Sequence, residues 1–240
     1  MSTVRPAAFI TGASSGIGLA LATMLTEEGH DVTIVARQPD RLAAAAERLR
    51  RRDGGVLDLS ADVSDEGQLG AALAAHADRF GRLDVLINNA GLAAPSPLHD
   101  LSSDSVDAQL ALNVRSLVIA YREAAPMLAK VASERGRALV VNTSSVSGHD
   151  GKALLSVYSA SKAAVIAFTQ AMQKELGPIG IRSCAVCPSF VDTPFTDFFK
   201  DRIPAESMIR PEDVANLVRP LLHLSNACIV PEITVEMAGL

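Results

Sequence analysis

"AAFITGASSGIG", residues 7–18, decides how the rest of this chain is read. Ala7 to Thr11 form a short apolar run, as expected of a strand covered on both faces. The run passes through Gly12, Gly16 and Gly18 into a helical pattern over 17–28. Glycines at such a passage allow a tight turn and a close approach of backbone to ligand, and the amides at the following helix N-terminus suit a pyrophosphate. No lysine follows the glycines, which excludes a nucleoside-triphosphate P-loop.

Working outward, strand-like runs fall at 31–36, 56–60, 83–88, 137–143, 181–187 and 229–235. Helical patterns lie between them at 39–52, 65–80, 104–132, 155–176 and 211–224. "DVLIN" and "ALVVN" are apolar throughout, as buried parallel strands are. Regular alternation with right-handed crossovers predicts an α/β fold, a doubly wound, mostly parallel sheet of seven strands with helices on both faces. A ligand then sits beyond the carboxyl ends of the strands, where strand order reverses. No repeat, linker or compositional break divides the sequence, so residues 1–240 are expected to form a single domain.

Composition narrows the function. The chain has 240 residues, 48% of them hydrophobic, and a net charge of -5. That is enough to bury a core, and it disfavours a nucleic-acid partner, which needs a basic face. The basic run Arg48, Arg50, Arg51 and Arg52 reads as the last turn of a helix, where cations meet the negative end of the dipole. No apolar stretch of about twenty residues predicts a membrane span, and the first residues lack the h-region of a signal peptide. Of three cysteines, Cys184 and Cys187 are separated by Ala and Val inside a strand-like run, and all three read as reduced core residues of a cytoplasmic protein, with no metal site.

The strand ends carry the chemistry. In "VYSASKAAV", residues 157–165, Tyr158 precedes Lys162 by four positions, so the two share one helix face. A free phenol titrates near pH ~10. An ammonium alongside stabilises the phenolate, and a phenol tuned downward exchanges a proton with a carbonyl or alcohol oxygen. Thirteen residues earlier, at the end of the fifth strand, Ser145 can hold that oxygen while charge develops on it. At the end of the second strand, Ala36 stands where a dinucleotide fold places a ribose-binding carboxylate, and Arg37 follows it. A guanidinium suits a phosphate dianion, so Arg37, with Arg41 one turn on, favours NADP(H) over NAD(H).

"TGASSGIG", "NNAG" (88–91), Ser145 and "YSASK", in that order, resemble the short-chain dehydrogenases/reductases over essentially the whole chain. The resemblance implies a Rossmann-type fold and an oxidoreductase interconverting a carbonyl and a secondary alcohol, with NADP(H) preferred and NAD(H) possible. It implies Asn113, Ser145, Tyr158 and Lys162 as the catalytic set, with Asn113 linking a water to the lysine. It implies cofactor contacts from Gly12, Ser14, Ser15, Gly16, Ile17, Gly18, Arg37, Asp62, Val63, Asn89, Ala90 and Gly91. Tyr158, Lys162, Pro188, Val191 and Thr193 complete that set. Two departures stand out: Ser15 replaces a basic residue found in some NADP-preferring relatives, and Ser189 replaces a usual glycine.

The resemblance also implies a mobile substrate lid at about 190–210. Four phenylalanines, Phe190, Phe195, Phe198 and Phe199, fall there. Phe190, Phe195 and Phe198, with His149 and Leu154, are the candidate substrate contacts, and they suggest an apolar or aromatic small molecule. The alternatives are a ketoreductase for carrier-bound or polyketide-like acyl chains, and a non-catalytic NADP(H)-binding regulator. Small and apolar residues over 104–132 and 155–176 suit packing between subunits, and the family implies a homo-oligomer, dimer or tetramer.

Overall fold

The computed structural model describes residues 5–239. Residues 1–4 and 240, the ends of the span expected to form one domain, lie outside them. The expected alternation forms as β1 (Ala7–Thr11), α1 (Gly16–Glu27), β2 (Asp31–Ala36), α2 (Pro39–Arg50), β3 (Val56–Ser60), α3 (Glu66–Phe80) and β4 (Val85–Asn88). It continues as α4 (Ser103–Leu110), α5 (Ser116–Arg135), β5 (Ala138–Thr143), α6 (Ser156–Leu176), β6 (Ile181–Pro188), α7 (Pro211–Val218) and β7 (Glu232–Val235). All strands pair in parallel in the order β3-β2-β1-β4-β5-β6-β7. Strand order reverses between β1 and β4, where Ile10 stands beside both Ile34 and Ile87.

The two faces of the sheet are buried separately. Leu21, Leu25, Leu42, Leu49, Val214 and Val218, from α1, α2 and α7, cover one face. Leu69, Leu73, Leu117, Leu128 and Val165, from α3, α5 and α6, cover the other. This is why the strands are apolar throughout instead of alternating. Among the described residues no helix is long and apolar enough to cross a membrane.

Four expectations are corrected. The helix predicted over 104–132 is two helices joined by a wide π turn, Ala111–Arg115. There the Asn113 side chain leaves the helix to bond the Leu92 backbone, and one widened turn accommodates it. The last helix stops at Val218, because Pro220 follows and has no N–H for another α-turn. The final strand begins at Glu232 and not at 229, since Pro231 cannot donate to the ladder. Cys184 and Cys187 are buried in β6, but Cys228 is exposed. The basic run behaves as read: α2 ends at Arg50, and Arg50 and Arg52 pair with Asp58 and Glu27 on the surface.

The glycine turn is held by sterics. Gly12 has φ +66°, a conformation that favours glycine. Gly18 is ordinary helix, but a Cβ there would lie 2.4 Å from the Gly12 carbonyl oxygen and 2.6 Å from Asn89 Nδ2. In α3, by contrast, a Cβ on Gly70 would meet nothing within 4 Å. Gly18→Ala is therefore expected to lower unfolding stability by about 1–3 kcal/mol through overpacking. Gly70→Ala is expected to raise it by about 0.5–1 kcal/mol through helix propensity. Urea denaturation of the two variants checks both signs.

Candidate functional site

A cavity of about 1170 Å³ opens at the carboxyl ends of the strands. That exceeds the range of about 300–1000 Å³ usual for one small ligand, which leaves room for an extended ligand with a second molecule beside it. One end is walled by the glycine turn, with Gly12, Ser14, Ser15, Gly16 and Ile17, and by the segments after β2 and β3, with Arg37, Arg41, Asp62 and Val63. The middle holds Asn89, Ala90 and Gly91. The far end holds Ser145, Tyr158, Lys162, Pro188, Val191, Thr193 and the phenylalanines. Residues predicted from seven separate stretches thus converge on one cavity.

Gly18 is the exception among the predicted cofactor residues. It lies behind the turn, away from the cavity, and its lack of a side chain makes room for the Gly12 carbonyl and the Asn89 amide. Gly16 has a similar packing role at the wall itself, because a Cβ there would meet Thr193 Cγ2 at 2.7 Å. Asp65 caps α3 by accepting from the Gln68 N–H, which leaves Asp62 to the preceding turn. The Asp62 carboxyl is held below its usual range, first by the Ser64 hydroxyl, with the charge of Arg37 adding to the effect.

At the far end the side chains come from β5, α6 and β6. Ser145 donates to the Pro188 carbonyl at 3.4 Å and accepts from the Ser147 N–H at 3.1 Å. The neighbouring Ser144 hydroxyl donates to the Lys162 carbonyl at 2.8 Å. Lys162 is buried, its Nζ donating to the Thr143 carbonyl at 2.8 Å and lying 5.6 Å from the centre of the Tyr158 ring. Burial pushes its ammonium down to about 8. Burial pushes the Tyr158 phenol up to about 12, and a hydrogen bond with Ser145 offsets part of that.

At the phenol, burial outweighs the neighbouring lysine. The ammonium stands beside the ring and bonds Thr143, and the protein's own groups leave Tyr158 protonated. Asn113 lies near Lys162, since a Cβ on Gly91 would stand 3.4 Å from its Oδ1 and 3.5 Å from Lys162 Nζ. Its Oδ1 accepts from the Leu92 N–H, while its Nδ2 donates to the Leu92 carbonyl and to Ser161 Oγ. The side chain is buried beneath Gly91 and is not part of the cavity wall.

Of the candidate substrate contacts, His149, Phe190, Phe195 and Phe198 are on the wall and Leu154 is not. Leu154 adopts φ +66° and is 54% exposed, and its neighbour Leu155 faces the cavity instead. Phe190 packs edge-on against Phe199 at 5.0 Å, and Phe195 lies 6.0 Å from Tyr158. Thr143, Leu112, Thr234 and Glu236 also line the cavity and were not anticipated. Thr143 and Thr234 had a usable signal, since each lies at the carboxyl end of a predicted strand.

The family model for short chain dehydrogenases matches residues 6–203. A Streptomyces virginiae protein assigned as a ketoacyl reductase of the monensin polyketide synthase is 34% identical, over 97% of this chain and 96% of its own. An alcohol dehydrogenase from the archaeon Thermococcus sibiricus, complexed with 5-hydroxy-NADP, superposes with a TM-score of 0.89 at 27% identity, covering 98% and 97% of the two chains. A 3-ketoacyl-(acyl-carrier-protein) reductase from Brucella melitensis, complexed with NADH, gives 0.88 at 28% identity, covering 98% of each. The nucleotide-sized cavity over an all-parallel, doubly wound sheet defines a class, and the sequence match makes it specific. The chain belongs to the short-chain dehydrogenase family.

The buried lysine makes a prediction independent of any activity. Its folded pKa is depressed, so between about pH 8 and pH 10.5 the unfolded chain holds a proton that the folded one does not. Stability contributed by this group therefore rises with pH through that window. Lys162→Met lacks the effect. The variant is expected to be more stable than the parent at neutral pH, by on the order of 3 kcal/mol, with the gap closing as pH passes through the window. Denaturation midpoints of the pair across pH 7–11 test this, and a constant gap would show that burial does not depress Lys162.

Proposed function

We propose that the protein is an NADP(H)-dependent oxidoreductase that interconverts a carbonyl and a secondary alcohol on an apolar or aromatic small molecule. In this reading the chain works as one dinucleotide-binding domain with residues about 190–210 as its lid. The observation that carries it is the convergence of Ser145, Tyr158 and Lys162 at one end of a cavity whose other end is the glycine turn with Arg37. The residues present fit a nicotinamide dinucleotide. Gly12 and Gly16 bring bare backbone to the cavity wall in the left-handed region, with φ +66° and +54°, and Arg37 is exposed where a carboxylate would repel a phosphate. Two similar structures were solved with NADH and with an NADP derivative, which supports the cofactor class.

When bound, the nicotinamide supplies or accepts the hydride at the carbonyl carbon. Ser145 donates to the substrate oxygen and positions it, exchanging its long bond to Pro188 for a bond to the more charged acceptor. Tyr158, protonated at neutral pH, gives its proton to that oxygen in reduction and regains one in oxidation. Lys162 holds a positive charge beside the phenol ring that favours the phenolate left behind. The phenylalanines exclude water from this end and present an apolar wall.

A second reading, a ketoreductase for carrier-bound acyl chains, is favoured by the ketoacyl reductases among the similar proteins. Such a carrier would dock on the lid's cations Lys200, Arg202 and Arg210, and two of the three are already paired. Lys200 is tied to Asp192 and Asp197, and Arg210 to Asp213. The reading also includes a cytoplasmic homo-oligomer, with Leu110 and Val118 exposed along α4 and α5 as candidate contacts.

The experiment is consumption of NADPH and of NADH over aliphatic, aromatic and carrier-linked carbonyls. NADPH turnover strongest on free aromatic or apolar ketones is expected. Tyr158→Phe should lower kcat by about 10²–10⁴-fold while leaving NADPH affinity near the parent's. Arg37→Ala should raise the KM for NADPH by about ten- to a hundredfold, the loss of one charge-assisted bond, with little change for NADH. Equal effects on both cofactors would remove Arg37 from the phosphate site. Turnover confined to carrier-linked substrates would select the second reading.

A further inference from the structure

Behind Ser145 lies a cluster that the proton chemistry does not use. His149 follows the short turn after Ser145, Cys187 is the penultimate residue of β6, and Glu232 opens β7. Their donor atoms all lie within 4.8 Å of one another. In the sheet register Ala185 stands beside Glu232 and Cys187 beside Thr234, so Cys187 and Glu232 share one face. The His149 imidazole meets them from the loop above and bonds the Glu232 carboxylate at 2.8 Å.

We propose that His149, Cys187 and Glu232 form a binding site for a borderline-soft divalent cation of the zinc class, with its open position toward the cavity. The donor set fits that class. Zinc takes imidazole nitrogen, thiolate sulfur and carboxylate oxygen, commonly from three protein groups plus water. One thiolate and one carboxylate balance a dication, and thiolate with imidazole disfavours magnesium and calcium. Tetrahedral coordination puts neighbouring donors about 3.3–3.8 Å apart, so the three need to move by about an ångström from their present spacing.

The surroundings hold the donors as a cation site requires. Thr234 Oγ1 donates to the Glu232 carboxylate at 2.8 Å and fixes its orientation. Burial, with the Glu232 carboxylate beside it, pushes the Cys187 thiol up to about 12, so the thiolate forms only as the cation displaces the proton. On binding, the cation replaces the thiol proton, which leaves to solvent, and takes the place of the His149–Glu232 bond. His149 and Thr234 line the cavity, which supplies both the entry path and the water for the fourth position. No spacing in the sequence reveals this cluster, because the three residues are brought together only by β6–β7 pairing and the turn after β5.

Cobalt(II) is the probe, because a thiolate bound to it gives a near-ultraviolet charge-transfer band. The purified full-length protein is expected to take up one equivalent with that band. Cys187→Ser should abolish the band. His149→Ala and Glu232→Gln, at solvent-accessible positions, should weaken cobalt binding about tenfold or more. Cys228→Ser, which removes the exposed thiol, should leave band and affinity unchanged. Absence of a band in the parent protein, or a band that survives Cys187→Ser and disappears with Cys228→Ser, overturns the proposal. Far-ultraviolet circular dichroism of each variant separates lost ligation from lost fold.

Discussion

The site depends on one side chain, the amide of Asn89. Its Nδ2 donates to the carbonyls of Thr11 and Gly12, and its Oδ1 accepts from the Thr143 hydroxyl. Its backbone N–H and that of Ala90 both donate to Thr11 Oγ1. These bonds tie the ends of β1, β4 and β5 across the point where strand order reverses, and a half-buried amide satisfied on both ends resists displacement. Gly12 and Gly18 are glycine because this amide and the Gly12 carbonyl occupy the space that a Cβ would need. The glycine turn and the "NNAG" segment, seventy residues apart in sequence, are thus a single packed unit.

The electrostatics at the other end push two groups toward their neutral forms. Burial raises the phenol and lowers the ammonium, and among the described residues no carboxylate compensates the pair. A site meant only to be stable would not keep an amine there on one carbonyl bond, since an apolar residue would avoid the desolvation cost. Functional sites commonly carry such costs, and the rest of the fold must offset them. Here two closed cores and an edge-to-edge parallel ladder do so.

The fold was legible in sequence because each strand is short, apolar and followed by its helix, and because proline and glycine punctuate the ends. The cavity wall was legible for a related reason: in a doubly wound sheet the functional residues sit one to three positions past each strand, so finding strand ends finds the site. What escaped was set by long-range contacts. The break in the 104–132 helix comes from Asn113 reaching Leu92, a partner that no helical period predicts. Leu154 and Leu155 differ by one position, and only the left-handed backbone at Leu154 decides which of them faces the cavity. The Tyr158–Lys162 spacing placed both groups on one face, but how deeply they would be buried depends on the whole assembly.

That burial also explains how a strand and a helix hold a three-group constellation in register. Asn142, three residues before Ser145, donates to Tyr121 Oη and to Thr169 Oγ1, and accepts from Asn88 Nδ2. Tyr121 in turn donates to Ser183 Oγ. Five polar side chains from β4, β5, β6, α5 and α6 thereby satisfy one another in a fully or nearly fully buried setting. Apolar packing alone tolerates small slides of a helix along a sheet, whereas a polar network loses about 1–3 kcal/mol for each partner left unsatisfied. Thr169 lies seven residues, about two turns, beyond Lys162 on α6. Bonding it to β5 fixes the axial position of the helix that carries Tyr158 and Lys162 against the strand that carries Ser145. The thirteen-residue interval between serine and tyrosine then has a structural meaning, because it is the length of chain needed to climb from the strand end to that pinned helix.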